Sequence, residues 1–218
     1  MPQPLQAIFF RNFENSYIPQ ILEEMYIKQV YKPYLEGQRD LIIADWGGNI
    51  GLTSYYFKDY AKKVYCVEPS KDHQEVIEKL IEHNDIKNIK LCKYAISNEN
   101  GKTKFYHNEN VTMFSLESTV NKKDDFEEVE TVSVDSFMER EGIDRIDLLK
   151  FDVEGSEGLV LASEGFKKVA DRIKVIVGEW HSWCPMSKNV FMNTFRDLGF
   201  EFKWVQGTDA SVFTAVRI

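Results

Sequence analysis

The feature that most constrains the fold is a series of short apolar runs that alternate with helical patterns from residue 41 onward. Runs that are apolar almost throughout are typical of strands buried on both faces of a parallel sheet, with the intervening helices as cover. The runs predicted as strands are LIIAD (41–45), VYCVE (64–68), IKLCKYAI (89–96), IDLLKFD (146–152) and IKVIVGE (173–179). The sequence therefore predicts an α/β fold with a Rossmann-like, mostly parallel sheet and helices on both faces.

The C-terminal part of the chain breaks this alternation. Two strand-like runs, residues 200–205 and 211–217, are separated by a short turn at 207–209. Such a short connection permits an antiparallel hairpin but not a parallel crossover, so the predicted sheet has seven strands and ends in an antiparallel hairpin. Residues 102–134 alternate in polarity and are predicted as inserted extra strands, at the sheet edge or over the site.

The N-terminal segment, residues 1–38, is predicted as a helical extension of the same domain. Helical spacing of apolar side chains predicts one amphipathic helix within residues 16–35. The side chains that carry this spacing are Ile18, Ile21, Leu22, Met25 and Tyr26. No linker-like stretch interrupts the chain, so residues 1–218 are expected to form a single domain.

Composition limits the partners and the location. The formal net charge is −8 and no stripe of Lys or Arg stands out, so nucleic acid is not expected as a partner. No apolar run reaches the ~20 residues of a membrane span, and the first residues lack a signal-peptide pattern. The three cysteines form neither a disulfide nor a metal pattern, which favours a cytoplasmic location. The oligomeric state, including a homo-oligomer, is left open.

A glycine-rich loop follows the first predicted strand, where open α/β sheets bind their ligands. It does not fit the dinucleotide pattern G-x-G-x-x-G, because Asn49 and Leu52 stand where glycines are required. Asp45 would also repel a pyrophosphate but would suit the ammonium and sulfonium of S-adenosylmethionine. The alternative is a glycine-rich turn in which Asp45 caps a helix. The loop residues predicted to bind the cofactor are Asp45, Gly47, Gly48, Asn49 and Gly51.

Further cofactor contacts are predicted at the ends of the second and third strands. Glu68 ends the second strand 23 residues after Asp45, a position from which a carboxylate can accept hydrogen bonds from both hydroxyls of a ribose. Ala95 and Ile96, at the end of the third strand, are predicted to flank the adenine ring. The alternative for these two residues is an ordinary place in the core.

The fourth strand carries a charge where an apolar side chain is expected. Lys150 lies within an apolar run and needs a partner, and Asp152 points to the same face of the strand. We predict that Lys150, Asp152 and Glu154 face the reaction site, with Asp152 and Glu154 as catalytic candidates. The alternative is a structural ion pair that holds the loop.

The fifth strand ends close to two further polar side chains, Glu179 and His181, expected at the same sheet edge as Asp152. Methyl transfer to oxygen requires removal of a hydroxyl proton, which a carboxylate or a neutral His181 could accept. His181 is therefore the third catalytic candidate. Asp152, Glu179 and His181 could instead bind a divalent cation, but we expect turnover not to require one.

With these residues assembled, the chain resembles the FkbM-type family of class I S-adenosylmethionine-dependent methyltransferases. The segment 146–157 is similar to the signature IDLLKIDVEGxE, 132–137 to the strand and Asp that precede it, and 45–51 to the loop D-x-G-A-N-x-G. Trp46, in place of a small aliphatic residue, and Gly48, in place of Ala, depart from the pattern. We therefore expect Trp46 to reshape the cofactor pocket.

The resemblance implies O-methylation of a sugar, a polysaccharide or a natural product, with residues 1–40 and 102–131 contributing to the acceptor site. The alternatives are transfer to nitrogen or carbon, and a non-catalytic subunit that binds S-adenosylmethionine. An NAD-dependent oxidoreductase is disfavoured by the loop.

Overall fold

The computed structural model describes residues 21–107, 114–115, 126–205 and 211–218. Its strands are β1 (Leu41–Trp46), β2 (Ala61–Val67), β3 (Ile89–Cys92), β4 (Ala95–Ser97), β5 (Gly101–His107), β6 (Phe114–Ser115), β7 (Phe126–Ser133), β8 (Leu148–Phe151), β9 (Val175–Trp180), β10 (Phe200–Trp204) and β11 (Ser211–Arg217). Its α-helices are α1 (Lys32–Leu35), α2 (Leu52–Phe57), α3 (Lys71–His83), α4 (Val134–Glu141), α5 (Glu157–Ala162), α6 (Glu164–Val169) and α7 (Lys188–Asp197).

Among the described residues, seven strands form the main sheet in the order β10-β11-β9-β8-β1-β2-β3. The pairs from β3 to β9 are parallel, and β11 is antiparallel to both β9 and β10. The predicted Rossmann-like sheet with a C-terminal antiparallel hairpin is confirmed. The turn predicted at 207–209 lies outside the described residues.

Side chains alternate between two cores, one on each face of this sheet. Trp46, Leu149 and Ile176 pack on the face covered by α4, α5, α6 and α7. On the other face, Ile43 and Val177 pack with the helices α2 and α3. This alternation follows from the period of two in an extended strand and explains why the strands are apolar almost throughout.

The predicted third strand, residues 89–96, is divided between two sheets. Only β3 joins the main sheet, whereas β4 pairs in parallel with β7. In the described part of the chain, the second sheet has the order β4-β7-β5-β6. Contrary to the prediction, Ala95 and Ile96 therefore do not lie at the end of the third strand of the main sheet. Their apolar run is continuous with β3 in sequence, but pairing with the distant β7 takes them into another sheet.

The helix predicted within residues 16–35 does not continue to residue 35 in the described part of the chain, which is α-helical at residues 21 and 22. Glu23–Ile27 forms a π-helical turn, and a separate short helix, α1, begins at Lys32 with a proline in its first turn. Gln29, between them, has a positive φ of 53°. Proline suits the start of a helix but not its interior, because it lacks an N–H and fixes φ.

Within the described residues, none of the helices combines the length and the apolarity that a membrane span requires.

Candidate active site

A cavity with about 540 Å³ of empty space opens beyond the carboxyl ends of β1, β2 and β8. This is the edge at which an open α/β sheet binds its ligand. We call it the first cavity. Its lining includes the predicted cofactor residues Gly47, Asn49, Glu68, Ala95 and Ile96. Asp45, Gly48 and Gly51 are not among its lining residues.

Residue 47 must be a glycine because two backbone segments approach each other closely at this position. Its φ is +78°, and a Cβ built there would lie 1.8 Å from the carbonyl oxygen of Asp152. Gly48 is also confined, because a Cβ there would lie 2.3 Å from Sγ of Cys66. The loop therefore fits against β2 and the end of β8 only when neither residue carries a side chain.

Glu68 is almost completely buried and binds the loop on one side and helix α3 on the other. Its Oε2 accepts a hydrogen bond from the backbone N–H of Asn49 at 2.7 Å, and its Oε1 accepts one from that of Ser70 at 2.9 Å. Oε1 also lies 3.5 Å from Nδ1 of His73. A carboxylate oxygen can accept more than one hydrogen bond, so Glu68, which lines the first cavity, retains acceptor capacity. Ser70 is the N-cap of α3, and its side chain accepts a hydrogen bond from the backbone N–H of His73.

Asp45 lies behind the loop and does not line the first cavity. It is fully buried, and its Oδ2 accepts a hydrogen bond from the Ser54 hydroxyl at 2.6 Å. Its Oδ1 lies 3.5 Å from Nζ of Lys150. The predicted contact between Asp45 and the cofactor is therefore not supported, because its charge is balanced by Lys150 within the protein.

Lys150 connects three parts of the site. Its Nζ donates to the carbonyl oxygen of Gly47 at 2.7 Å and to Oδ2 of Asp152 at 3.1 Å. Burial alone would lower the pKa of Lys150, but the carboxylates of Asp152 and Asp45 outweigh it and hold that pKa well above its ordinary value. Lys150 is thus a charged structural link, whereas Asp152 and Glu154 line the first cavity.

Asp152 also lines a second cavity, on the other side of the glycine loop. Gly47 and Asn49 are shared by the two cavities in the same way. Glu179 and the N-terminal residues Met25 and Tyr31 lie in the wall of the second cavity. Asp152 therefore lies where the first and second cavities meet.

Trp46 does not reshape either cavity, contrary to expectation. Its ring is fully buried in the core below the sheet, in edge contact with Phe137 and Phe151 at centroid distances of 5.9 and 5.5 Å. Because side chains alternate along β1, residue 46 points into the core while its neighbour Asp45 points to Lys150.

His181 lies among three carboxyl groups. Its Nδ1 is 2.8 Å from Oε1 of Glu157, and its Nε2 is 3.8 Å from Oδ1 of Asp152 and 3.5 Å from Oε2 of Glu154. The structure thus brings the three predicted catalytic residues together. It also adds Glu157, which sequence reasoning included in a motif but gave no role. The burial of this glutamate, which indicates a role, is visible only in the folded structure.

The cluster shifts the pKa values of two of its members. Burial would lower the pKa of His181, but the hydrogen bond to Glu157 and the nearby carboxylates raise it to about 10. Burial, followed by repulsion from Asp152, raises the pKa of Glu154 to about 8. Near neutral pH His181 is then an imidazolium and Glu154 a neutral acid. The alternative in which a neutral His181 accepts the proton is therefore not supported.

Glu179, which the sequence analysis offered to a metal together with Asp152 and His181, is not part of the group that the structure brings together. Among the described residues, one group of His, Cys, Asp and Glu places ligand atoms within 4.8 Å of one another, and it consists of Asp152, Glu157 and His181. Glu157 and His181 contact each other, and Glu157 also accepts hydrogen bonds from the turn after β8. Asp152 pairs with Lys150 through Oδ2, whereas its buried Oδ1 has no hydrogen-bond partner among the described residues and lies 3.8 Å from Nε2 of His181. That turnover needs no metal stays a prediction.

We expect the melting temperature (Tm) of the protein to fall as pH rises from about 6 to about 10. A folded-state pKa of about 10 for His181, above its ordinary 6.5, stabilises the fold below pH 6.5, and this is lost as pH rises through 10. The raised pKa of Glu154 acts in the same direction between 4.5 and about 8.

Calorimetry of the wild type and a His181→Gln variant over this pH range tests the assignment. The variant should have a shallower decline of Tm. Parallel profiles for the two proteins would contradict the assigned charge of His181.

Comparisons with known proteins agree with this architecture. The family model for the methyltransferase FkbM domain matches residues 44–202. No curated protein sequence matches the chain.

Three solved structures have a similar fold at low sequence identity. A Streptococcus mutans methyltransferase structure in complex with SAH has a TM-score of 0.56 and 12% identity, over 88% of this chain and 97% of that one. Methyltransferase FkbM from Methylobacillus flagellatus KT has a TM-score of 0.55 and 11% identity, over 81% of this chain but 43% of that one. Precorrin-6y C5,15-methyltransferase from Geobacter metallireducens GS-15 has a TM-score of 0.53 and 13% identity, over 88% and 87%.

Proposed function

The chain belongs to the FkbM family of S-adenosylmethionine-dependent methyltransferases, and from this we propose that it methylates a hydroxyl oxygen of a small molecule or carbohydrate. The observation that carries the proposal is the position of Asp152. Asp152 lines both cavities, so we propose that its carboxylate reaches an acceptor hydroxyl on one side while the cofactor occupies the other. We propose the first cavity for the cofactor and the second for the acceptor.

The residues of the first cavity fit S-adenosylmethionine in its chemical groups. Glu68 has acceptor capacity for the ribose hydroxyls, and Ala95 and Ile96 offer an apolar wall for the adenine. The glycine loop lets the bound molecule approach the backbone closely. When bound, the cofactor supplies a methyl group that is already activated on a sulfonium.

The chain's own part in the reaction is positioning and proton removal. Asp152 would accept the hydroxyl proton as the new oxygen–carbon bond forms and the sulfur–carbon bond breaks. Holding the oxygen in line with the methyl group would supply much of the rate enhancement. An anionic acceptor is disfavoured because Asp152 and Glu179 both line the second cavity, and the one positive charge among its described lining residues, Lys150, is already paired with Asp45 and Asp152. The net charge of −8 likewise disfavours nucleic acid.

We also propose that residues 1–38 and 102–134 belong to the same single domain and contribute to its ligand spaces. In the described portions of these segments, Met25 and Tyr31 line the second cavity and Phe105, on β5, lines the first. Segments outside the main sheet that line a ligand space are well placed to choose the acceptor.

Incubation with S-adenosylmethionine labelled in the methyl group tests the reaction against matched panels of polyols, phenols and amines. We expect labelled methyl ethers, and the carbon shift of the labelled methyl group distinguishes an ether from a methylamine. Methylated amines alone would favour the nitrogen alternative. Cofactor binding without transfer to any acceptor would favour the non-catalytic subunit.

Glu68→Ala is expected to weaken the binding of S-adenosylmethionine by ~1–3 kcal/mol, the scale of lost hydrogen bonds to a charged group. The carboxylate would accept from the ribose and also fixes the N–H of Asn49. Titration calorimetry measures the change. Glu127→Ala, at a partly exposed glutamate on β7, is the control and should leave the affinity unchanged. Unchanged affinity in Glu68→Ala, or tight NADH binding at the same loop, would contradict the assignment.

A further inference from the structure

We propose that Glu157 is a positioning residue for methyl transfer, acting through His181 to fix the carboxyl groups of Asp152 and Glu154 beside the first cavity. The inference rests on the proposed function, because it assumes that Asp152 receives the acceptor proton. It concerns a residue that does not itself line either cavity.

Glu157 holds the turn that follows β8. It is fully buried in the first turn of α5, and its Oε1 accepts hydrogen bonds from the N–H groups of Val153 at 3.2 Å and Gly155 at 3.1 Å. Its Oε2 also lies 3.1 Å from the N–H of Gly155. The turn needs such support because Glu154 has a positive φ of 53°, which costs energy in a residue with a side chain. Glu157 therefore sets where the backbone presents Glu154.

The same carboxylate sets the position of the imidazole. Nδ1 of His181 is 2.8 Å from Oε1 of Glu157, so the ring has one fixed edge in the buried interior and its other edge faces Asp152 and Glu154. A carboxylate that hydrogen-bonds one ring nitrogen fixes both the orientation and the protonation of a histidine. The ring can then act as a cation between two carboxyl groups that line the cavity.

Among the carboxyl groups around His181, that of Glu157 lies nearest to the ring. The ring of Trp183 packs on it at a centroid distance of 4.7 Å, and Cys184 lies near both His181 and Glu157. Glu179 lies on β9, near Glu154. At 2.8 Å, the Glu157 contact is shorter than the ion-pair distances of 3.5 and 3.8 Å to the other carboxyl groups. Removal of the Glu157 charge should therefore affect the ring more than removal of either cavity carboxyl group.

The test is a double-mutant cycle on kcat with Glu157→Gln, His181→Asn and the combined variant. Glutamine keeps the size of the side chain and one acceptor oxygen for the turn. We expect each single variant to lower kcat by roughly 10- to 100-fold, as when a partner that orients a functional histidine is lost. The dissociation constant for S-adenosylmethionine should change by less than about twofold. The double variant should be no slower than His181→Asn, because Glu157 acts through His181 and has no further effect on kcat once the imidazole is removed.

Glu164→Gln is the matched control. It removes a glutamate from the first turn of the next helix, α6, where the side chain is exposed, and should leave kcat unchanged. Nitrogen-15 spectra of histidine-labelled protein supply a readout that needs no acceptor. Near neutral pH both ring nitrogens of His181 should be protonated in the wild type, and the Glu157→Gln variant should change the ring signals.

Two results would overturn the proposal. Losses of kcat that multiply in the double variant would mean that Glu157 does not act through His181. Identical ring signals in the wild type and the Glu157→Gln variant would also mean that Glu157 does not act through His181, and this result needs no turnover measurement. If the spectra change as expected while no acceptor is methylated, the proposed function fails and the coupling of Glu157 to His181 stands.

Discussion

Asp152→Asn is expected to lower kcat for methyl transfer by roughly 10²- to 10⁴-fold, the contribution of a positioned general base. The amide cannot accept the acceptor proton, but it has nearly the same shape as the carboxylate. Lys150 would keep the carbonyl of Gly47 and the carboxylate of Asp45 as partners. Tm and the affinity for the cofactor should therefore stay near those of the wild type, as measured by calorimetry.

Asp147→Asn is the matched control for this prediction. Asp147 precedes β8 at the opposite end from the site, where its carboxylate accepts a hydrogen bond from the N–H of Ile42 at 2.9 Å. Its replacement should lower Tm but not kcat. If Asp152→Asn lost activity only in proportion to Tm or cofactor affinity, Asp152 would be part of a structural ion pair and not the proton acceptor.

Gly47→Ala is expected to abolish cofactor binding and to destabilise the fold by more than ~4 kcal/mol, beyond the range of ordinary substitutions. The methyl group would lie 1.8 Å from the carbonyl oxygen of Asp152, and this neighbour is backbone, which cannot rotate away. Separating the two segments would also break the hydrogen bond from Lys150 to the carbonyl of Gly47. Chemical unfolding and titration calorimetry measure the two effects.

Gly37→Ala is the control that separates the steric clash with Asp152 from the strain of a left-handed backbone. Gly37 has almost the same φ, +75°, but within the described parts of the chain nothing beyond its own neighbours in sequence lies within 4 Å of where a Cβ would stand. It should cost only the ~1–2 kcal/mol of a side chain in the left-handed region and leave cofactor binding intact. Similar losses in the two variants would contradict the role assigned to the contact with Asp152.

Much of the fold is predictable because its signals are local. The short turn between 200–205 and 211–217 excludes a parallel crossover, and continuous apolar runs indicate strands buried on both faces. The division of 89–96 between two sheets is not local. Nothing within that run distinguishes a residue paired with β2 from one paired with β7, so only the assembled sheet reveals it.

The sequence predicts at which edge of the sheet the site lies, but it does not predict which side chains contact one another there. Period-two alternation places Lys150 and Asp152 on one face, and their 3.1 Å contact agrees. The same rule could not assign Lys150 to Asp45 as well, because that pairing depends on the register of two parallel strands. Glu157 and His181 are 24 residues apart in the chain and meet only through the packing of α5.

The place of β11 has a consequence for how the chain folds during synthesis. Among the described residues it follows every other strand in sequence, yet it lies inside the sheet between β9 and β10. Phe213, on β11, stacks on Phe202 of β10 at a centroid distance of 5.3 Å. A nascent chain that has not yet produced Ser211 cannot attach β10 to the sheet and leaves the edge of β9 open. Because β10 joins the main sheet through β11, it must wait for β11 to be synthesised, and this edge of the sheet is the last to close.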